Sequence, residues 1–216
     1  MINTTNNESI AGTKYFIKNK YSNAVECEVQ KICEKSEEFR NLAEKIQIFE
    51  GEETGLNVIS IFKVENRFRN LLFKIRAEED QKISPNEKIQ YLFHGSEITN
   101  LEDILSQGLD PRLSNKRGRF GEGVYCTPFI GKALSYSRQQ NMNGNKIVLG
   151  VRVTLGRKKI IPKGKIYPGL RREPEGYDSV EGNIDFTENV VYDSMRTTIK
   201  HVFVIREKNK DLFDFL

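Results

Sequence analysis

The chain predicts an α+β fold built on a mainly antiparallel β-sheet with flanking helices. Two observations predict it. Helical periodicity dominates the first third, and short β-branched or apolar runs bounded by glycines and turn residues come after it. The length of 216 residues, with 38% hydrophobic and 30% charged residues, suits one well-buried core.

Residues 1–21 are rich in Asn, Thr and Lys and read as a polar, loosely ordered segment, with 22–216 as a single domain that opens on a helix. Val25, Val29, Ile32, Phe39, Leu42, Ala43 and Ile46 recur at three- and four-residue steps and predict that helix, ended by Gly51 and Gly55. Ser36 interrupts the stripe, so packing on its own domain is favoured over a coiled coil. Val58–Val64 is β-branched and aromatic and reads as a strand. Phe68, Leu71, Leu72 and Ile75 then share one helical face, and Ser84-Pro85-Asn86 is a turn. Gln90–His94 reads as a buried strand that carries His94 to its C-terminal end. A helix with Leu101, Ile104 and Leu105 on one face comes next and stops at Gly108. Strands at 124–126, 147–155, 190–192 and 201–205 and a helix at 131–139 complete the pattern.

Composition excludes several function classes. Lys and Arg total 34 against 30 Asp and Glu, and the charges are interspersed, so nothing in the balance demands nucleic acid or a membrane surface. The basic stretch Arg157-Lys158-Lys159 with Lys163-Gly164-Lys165 reads as a solvated hairpin tip. No apolar window is long enough for a membrane span, and the polar start Met1–Asn7 has no signal-peptide core. A soluble intracellular protein, cytoplasmic or nuclear, and a monomer, is expected. Cys27, Cys33 and Cys126 lack metal-ligand spacing, and with only His94 and His201 no metal is expected.

The glycine-rich run Gly118-Arg119-Phe120-Gly121-Glu122-Gly123 is not a Rossmann fingerprint. Cys126 stands where the third glycine belongs, and a strand, not a helix, comes after the run. Gly121 and Gly123 instead suit a backbone that bends close to a flat ligand.

Three ordered blocks carry a family resemblance. The first is Leu92-Phe93-His94-Gly95-Ser96 with Asn100 and Ile104–Leu109. The second is Phe120–Tyr125 with Lys132 and Tyr136, and the third is Ser179-Val180 and Gly182 before Glu188-Asn189-Val190-Val191-Tyr192. Over about residues 36–206 the chain resembles the catalytic domain of the poly(ADP-ribose) polymerase family, the His-Tyr-Glu ADP-ribosyltransferases, in a pattern similar to tankyrases and macrodomain-linked mono-ADP-ribosyltransferases. The resemblance implies that family's split β-sheet fold and NAD+ as co-substrate, cleaved at its nicotinamide-ribose bond.

It also implies roles for single residues. His94, Tyr125 and Glu188 would be the catalytic triad. The Gly95 backbone would pair with the nicotinamide carboxamide, and Tyr136 and Tyr125 would flank the ring. His94 would also bond the adenine-side ribose, and Ser96, Asn100 and Arg112 would hold the adenosine end. Glu188 would stabilise positive charge developing on the ribose. The expected reaction is mono-ADP-ribosylation of a protein acceptor, the alternatives being poly-ADP-ribosylation, nucleic-acid ADP-ribosylation and a non-catalytic NAD or ADP-ribose binder.

Departures from the family are specific. Ala133 stands where many relatives have a carboxamide-binding serine, and Cys126-Thr127 replaces the usual Phe-Ala. No helical autoinhibitory domain or tankyrase zinc motif is recognisable, so independence from DNA breaks is expected. Phe186 lies two residues before Glu188, where arginine-specific toxins carry a glutamate.

Overall fold

The computed structural model describes residues 3–4, 14–18, 25–49, 52–53, 55–137 and 144–207. Its elements are β1 (Asn3–Thr4), β2 (Lys14–Lys18), β3 (Val25–Lys31), α1 (Glu37–Gln47), β4 (Ile48–Phe49), β5 (Glu52–Glu53), β6 (Leu56–Glu65) and α2 (Arg67–Ile83). Then come β7 (Gln90–Gly95), α3 (Leu101–Gln107), β8 (Val124–Cys126), α4 (Ile130–Leu134), β9 (Lys146–Val153), β10 (Lys158–Ile160), β11 (Ser179–Asn183), β12 (Thr187–Val191) and β13 (Thr197–Glu207). A seven-stranded sheet runs β1-β2-β3-β6-β13-β9-β7, and a four-stranded sheet runs β10-β11-β12-β8. Every pairing in them is antiparallel except β10 with β11. This is the α+β, split-sheet arrangement expected.

The first predicted helix is wrong over its first half. Val25–Lys31 is a strand, paired with β2 on one side and β6 on the other. Cys27 and Val29 alternate inward, and a four-residue step such as Val25 to Val29 satisfies both helical and strand periods. The helix begins after Ser36, which the sequence presents as an interruption. Its hydroxyl accepts from Phe39 N–H at 3.1 Å and so caps α1. Lys14–Lys18, inside the stretch expected to be loosely ordered, is also a strand of the large sheet. The helix predicted for 131–139 is shorter, and its last two positions lie outside the described residues.

Helix α2 is capped by Asn66, whose Oδ1 accepts from Arg69 N–H at 3.0 Å. The amide of the same side chain donates to the Leu105 and Ser106 carbonyls, tying the start of α2 to the end of α3. Phe68, Leu71 and Ile75 do share a face, but it is exposed; α2 buries Phe73, Ala77 and Asp80 instead. The basic stretch at 157–159 contains an edge strand, with Lys158 paired to Glu181 and Arg157 to Asp178.

Two hydrophobic clusters pack against β6, β13, β9 and β7, and Val148, Leu149, Val151 and Val153 of β9 are fully buried among them. A buried ion cluster joins α2 to the chain ahead of β11. Arg196, 1% exposed, donates from Nη1 to Asp80 Oδ2 at 2.6 Å and from Nη2 to Asp178 Oδ1 at 2.8 Å. The Thr154 hydroxyl donates to the same Asp80 oxygen. Arg76 lies farther from the same two carboxylates, 3.6 Å from Asp80 and 3.7 Å from Asp178. Arg196→Met would remove their nearest shared cation, and a stability loss of about 3 kcal/mol is expected, read from the denaturant midpoint and slope.

His201 is structural. Its Nδ1 lies 2.7 Å from the Tyr91 hydroxyl. Burial first, then the Lys200, Lys63 and Lys45 charges, push its pKa from 6.5 down to about 4. The unfolded chain therefore takes up this proton first as pH falls. The His201 contribution to stability is full above about pH 6.5 and is lost as pH falls through about 4. His201→Phe is expected to flatten the stability profile across that window, measured by urea midpoints at stepped pH.

Candidate active site

The site lies where the two sheets meet. Phe93 and Thr127 form a two-bond bridge, with Phe93 N–H donating to Thr127 O at 2.8 Å and Thr127 N–H to Phe93 O at 2.9 Å. The next residue on β7 is His94, whose Nδ1 is 2.8 Å from the Tyr125 carbonyl. A carbonyl only accepts, so Nδ1 carries the proton and Nε2 of the neutral ring is a bare acceptor. Desolvation lowers the His94 pKa and keeps the ring neutral, opposed by the bond to Tyr125.

Glu188 is 3% exposed on β12, between Gly182 of β11 and the strand that carries Tyr125. The Thr127 hydroxyl donates to Thr187 O at 2.8 Å and fixes the chain just before it. Thr127, part of the Cys126-Thr127 departure, thus stitches together the three strands that carry His94, Tyr125 and Glu188. Cys126 is buried, which pushes its thiol up to about 12 and leaves it inert. The Tyr136 hydroxyl donates to Glu188 Oε1 at 3.2 Å, and Lys132 Nζ lies 3.8 Å from the same oxygen and 5.1 Å from the Tyr136 ring centroid. Both contacts use Oε1, and Oε2 has no hydrogen-bond partner among the described residues.

Gly95 ends β7 directly against α4. A Cβ there would collide with the Ala133 carbonyl, so no side chain fits and the backbone stays uncovered. Ser96 is next, its carbonyl accepting from the buried Ser137 hydroxyl at 2.9 Å. Ala133 is itself buried, so its position adds no hydroxyl to the wall.

The glycine-rich loop is held by two tyrosines. The Tyr125 hydroxyl accepts from Phe120 N–H at 2.9 Å and donates to Gly121 O at 2.8 Å. The Tyr192 hydroxyl donates to Phe120 O at 2.5 Å. Burial pushes the Tyr125 hydroxyl up to about 12, so it remains a donor at neutral pH. The fully buried Phe120 ring rests on Gly182, where any Cβ would collide with it.

Beyond His94 a cleft of about 1230 Å³ opens. Its walls include His94, Ser96, Asn100 and Arg112, whereas Tyr125, Tyr136 and Glu188 lie outside its lining. Arg112 is exposed and forked onto Asp110, with Nη2 to Oδ2 at 2.6 Å. Tyr136 is 46% exposed, with its ring on the Glu188 side of Gly95. The expected site residues thus fall into two neighbouring sets, a slot around Gly95, Tyr125, Tyr136 and Glu188 and a cleft around His94, Ser96, Asn100 and Arg112. Three contributors go beyond the expected residues. Lys132 is legible in the second block but not as a partner of Glu188. Tyr192 is legible in the third block but not as a loop clamp. Arg69, a wall of the cleft under Gly108, leaves no signal beyond its helix. No group of three His, Cys, Asp or Glu able to hold a metal occurs among the described residues.

Tyr192→Phe removes one loop bond without changing the ring. The expected results are a stability loss of about 1 kcal/mol and faster amide exchange at Gly121–Gly123, read by denaturant midpoint and hydrogen-exchange mass spectrometry.

Comparison with known proteins identifies the family. The family model for the poly(ADP-ribose) polymerase catalytic domain matches residues 36–209. The chain is 26% identical over 196 residues to protein mono-ADP-ribosyltransferase PARP4 of Mus musculus, covering 83% of this chain and 9% of that protein. It is 24% identical over 209 residues to the Homo sapiens protein of the same name, covering 89% and 12%. It is 31% identical over 186 residues to poly [ADP-ribose] polymerase 1 of Danio rerio, covering 70% and 17%. The chain therefore spans less than a fifth of these curated relatives. No helix among the described residues is long and apolar enough to cross a membrane. With its three blocks folded into one slot and the family model matching most of its length, the chain belongs to the poly(ADP-ribose) polymerase catalytic-domain family, a family of NAD+ ADP-ribosyltransferases.

Proposed function

We propose that this chain cleaves the nicotinamide-ribose bond of NAD+ and transfers single ADP-ribose units to protein side chains. The observation that carries the reading is the Glu188 carboxylate, buried, pinned through Oε1 and open at Oε2 beside the uncovered Gly95 backbone. In this reading the Gly95 N–H and C=O pair with the carboxamide, and Tyr136 and Tyr125 bound the ring. His94 Nε2 accepts from the adenine-side ribose, and Ser96, Asn100 and Arg112 line the adenosine end.

Glu188 Oε2 accepts from the nicotinamide-ribose 2″-hydroxyl. As the C1″–N bond breaks, its electron pair neutralises the pyridinium of departing nicotinamide, and positive charge grows on the ribose. The fixed carboxylate is worth most at that moment, which is how it lowers the barrier. The acceptor then forms its bond to C1″ and releases any proton it carried. Lys132, with Nζ 3.8 Å from Oε1, helps hold the carboxylate in place.

Single-unit transfer is supported by the names of the mouse and human relatives, both mono-ADP-ribosyltransferases. A protein acceptor accords with those names as well. With labelled NAD+ and a protein mixture, the wild type is expected to give discrete labelled bands, and Glu188→Ala a rate lower by about 10²–10³. A smear instead of bands means chain elongation. NAD+ binding without transfer or nicotinamide release, read by calorimetry and chromatography, means a binder.

A further inference from the structure

The chain between β9 and β11 includes β10, the edge strand of the small sheet, and then bonds to the glycine-rich loop at Arg119 and Glu122. Between Arg157 and Tyr177 it carries seven Lys or Arg against two Glu. Three of the cations are paired, Arg157 to Asp178, Lys158 to Glu181 and Arg171 to Glu122. Lys159, Lys163, Lys165 and Arg172 have no carboxylate partner among the described residues, against the two strap glutamates Glu173 and Glu175.

Apolar and aromatic groups are exposed beside these charges. Tyr167 is 45% exposed and Tyr177 39%, and Ile160 and Ile166 are exposed with them. The Lys159 ammonium stands over both rings, 5.4 Å from the Tyr167 centroid and 5.6 Å from that of Tyr177. A lysine held between two rings is a preorganised cation, with less side-chain freedom to lose on binding.

This strap connects directly to the slot. Tyr167 N–H donates to Arg119 O at 2.7 Å, and Glu122 N–H donates to Leu170 O at 2.7 Å. The Arg119 guanidinium reaches across to Asp185 at 3.0 Å, three residues before Glu188. That pair is exposed on both sides, so an incoming carboxylate exchanges for Asp185 at little cost. Phe186, next in the chain, packs its ring 5.2 Å from Phe129, which leads into α4 and Lys132. The mouth over Glu188 thus has a cation on its rim, continuous with the strap.

We infer that the strap from Arg157 to Tyr177, with Arg119 at its inner end, is the acceptor-docking surface and takes an acidic peptide segment flanking the modified residue. The inference rests on the protein-acceptor reading above. A base stacking between the two rings has to expel Lys159, whereas a carboxylate approaching Lys159 keeps both ring contacts. The surface therefore favours an acidic peptide over a single-stranded nucleic acid.

The test uses three synthetic peptides with one common modifiable residue, flanked by Asp/Glu, by Asn/Gln or by Lys. The wild type is expected to modify the acidic peptide with kcat/KM about tenfold above the neutral one, an advantage lost at high salt. Lys159→Glu with Lys165→Glu is expected to remove the preference through KM, and Lys159→Arg with Lys165→Arg to keep it. Hydrolysis of NAD+ by water in the same variants reports on the slot alone and is expected to match the wild type. Anisotropy of the labelled acidic peptide reads the surface directly, so failure of transfer and failure of the surface are distinguishable. Equal use of all three peptides, or equal anisotropy in wild type and double Glu variant, overturns the proposal. So does an RNA oligonucleotide of matched charge that displaces the acidic peptide or is itself modified.

Discussion

The bridge between Phe93 and Thr127 is the constraint on which the site depends. Two backbone hydrogen bonds contribute only about 1 kcal/mol each to stability, yet they set where one sheet lies on the other. Slide the strands by one residue and every side chain changes face. His94 would then leave the Tyr125 carbonyl, and Gly95 would no longer face Ala133. Thr127 carries the constraint onward through its hydroxyl to the Thr187 carbonyl, beside Glu188. One residue thereby fixes the relation of β7, β8 and β12. A phenylalanine-alanine pair at 126–127 could supply the backbone bridge but not that hydroxyl bond.

Close packing enforces the same geometry from below. Phe120 is fully buried against Gly182, Val180 and Val190, and its backbone is held on both sides by tyrosine hydroxyls. The loop that bounds the slot is thus anchored in a hydrophobic core and not left to solvent. Gly182 faces Phe120 and also pairs with Glu188, so one small residue serves ring packing and strand register together. The electrostatics derive from the packing. Lys132 is only 14% exposed and reaches Glu188 because α4 begins immediately after the bridge residue and Pro128-Phe129.

Much of this geometry is legible in the sequence, and the rest is hidden for definite physical reasons. The strands carrying His94, Tyr125 and Val190 are short apolar runs between turn residues, with nothing helical competing for them. Val25–Lys31 reads as helix because its four-residue steps fit two periods, and only pairing with β6 decides between them. Ser36 reads as a break within a helix when it is a cap, because a cap is recognised only once the chain ahead of it is known to be non-helical. The exposed stripe Phe68, Leu71 and Ile75 shows that periodicity reveals a face without saying which way it turns. Within the site, residue identities are visible but partnerships are not. Tyr192 and Phe120 are 72 residues apart in the chain, and Arg69 and Ser194 are 125 apart, beyond the reach of any local pattern.

The sides proposed here for donor and acceptor are built on opposite principles. The donor slot uses positions with no spare volume: Gly95 against a carbonyl, Gly182 against a ring, Glu188 pinned at one oxygen. Substitution there must disturb the core as well as the chemistry, because the same contacts serve both. The proposed acceptor side presents exposed side chains on a strap whose backbone is secured by the β10–β11 pairing and by main-chain bonds at Ile161, Gly164, Tyr167 and Leu170. Exchanging Lys163, Lys165 or Arg172 touches no buried partner, and surface changes of that kind usually alter stability by less than about 0.5 kcal/mol. A fold arranged in this way can hold one donor reaction constant while its acceptor surface varies freely. If the strap is the docking surface, its charge and aromatics, more than His94, Tyr125 and Glu188, are where differences in acceptor among related chains should be written.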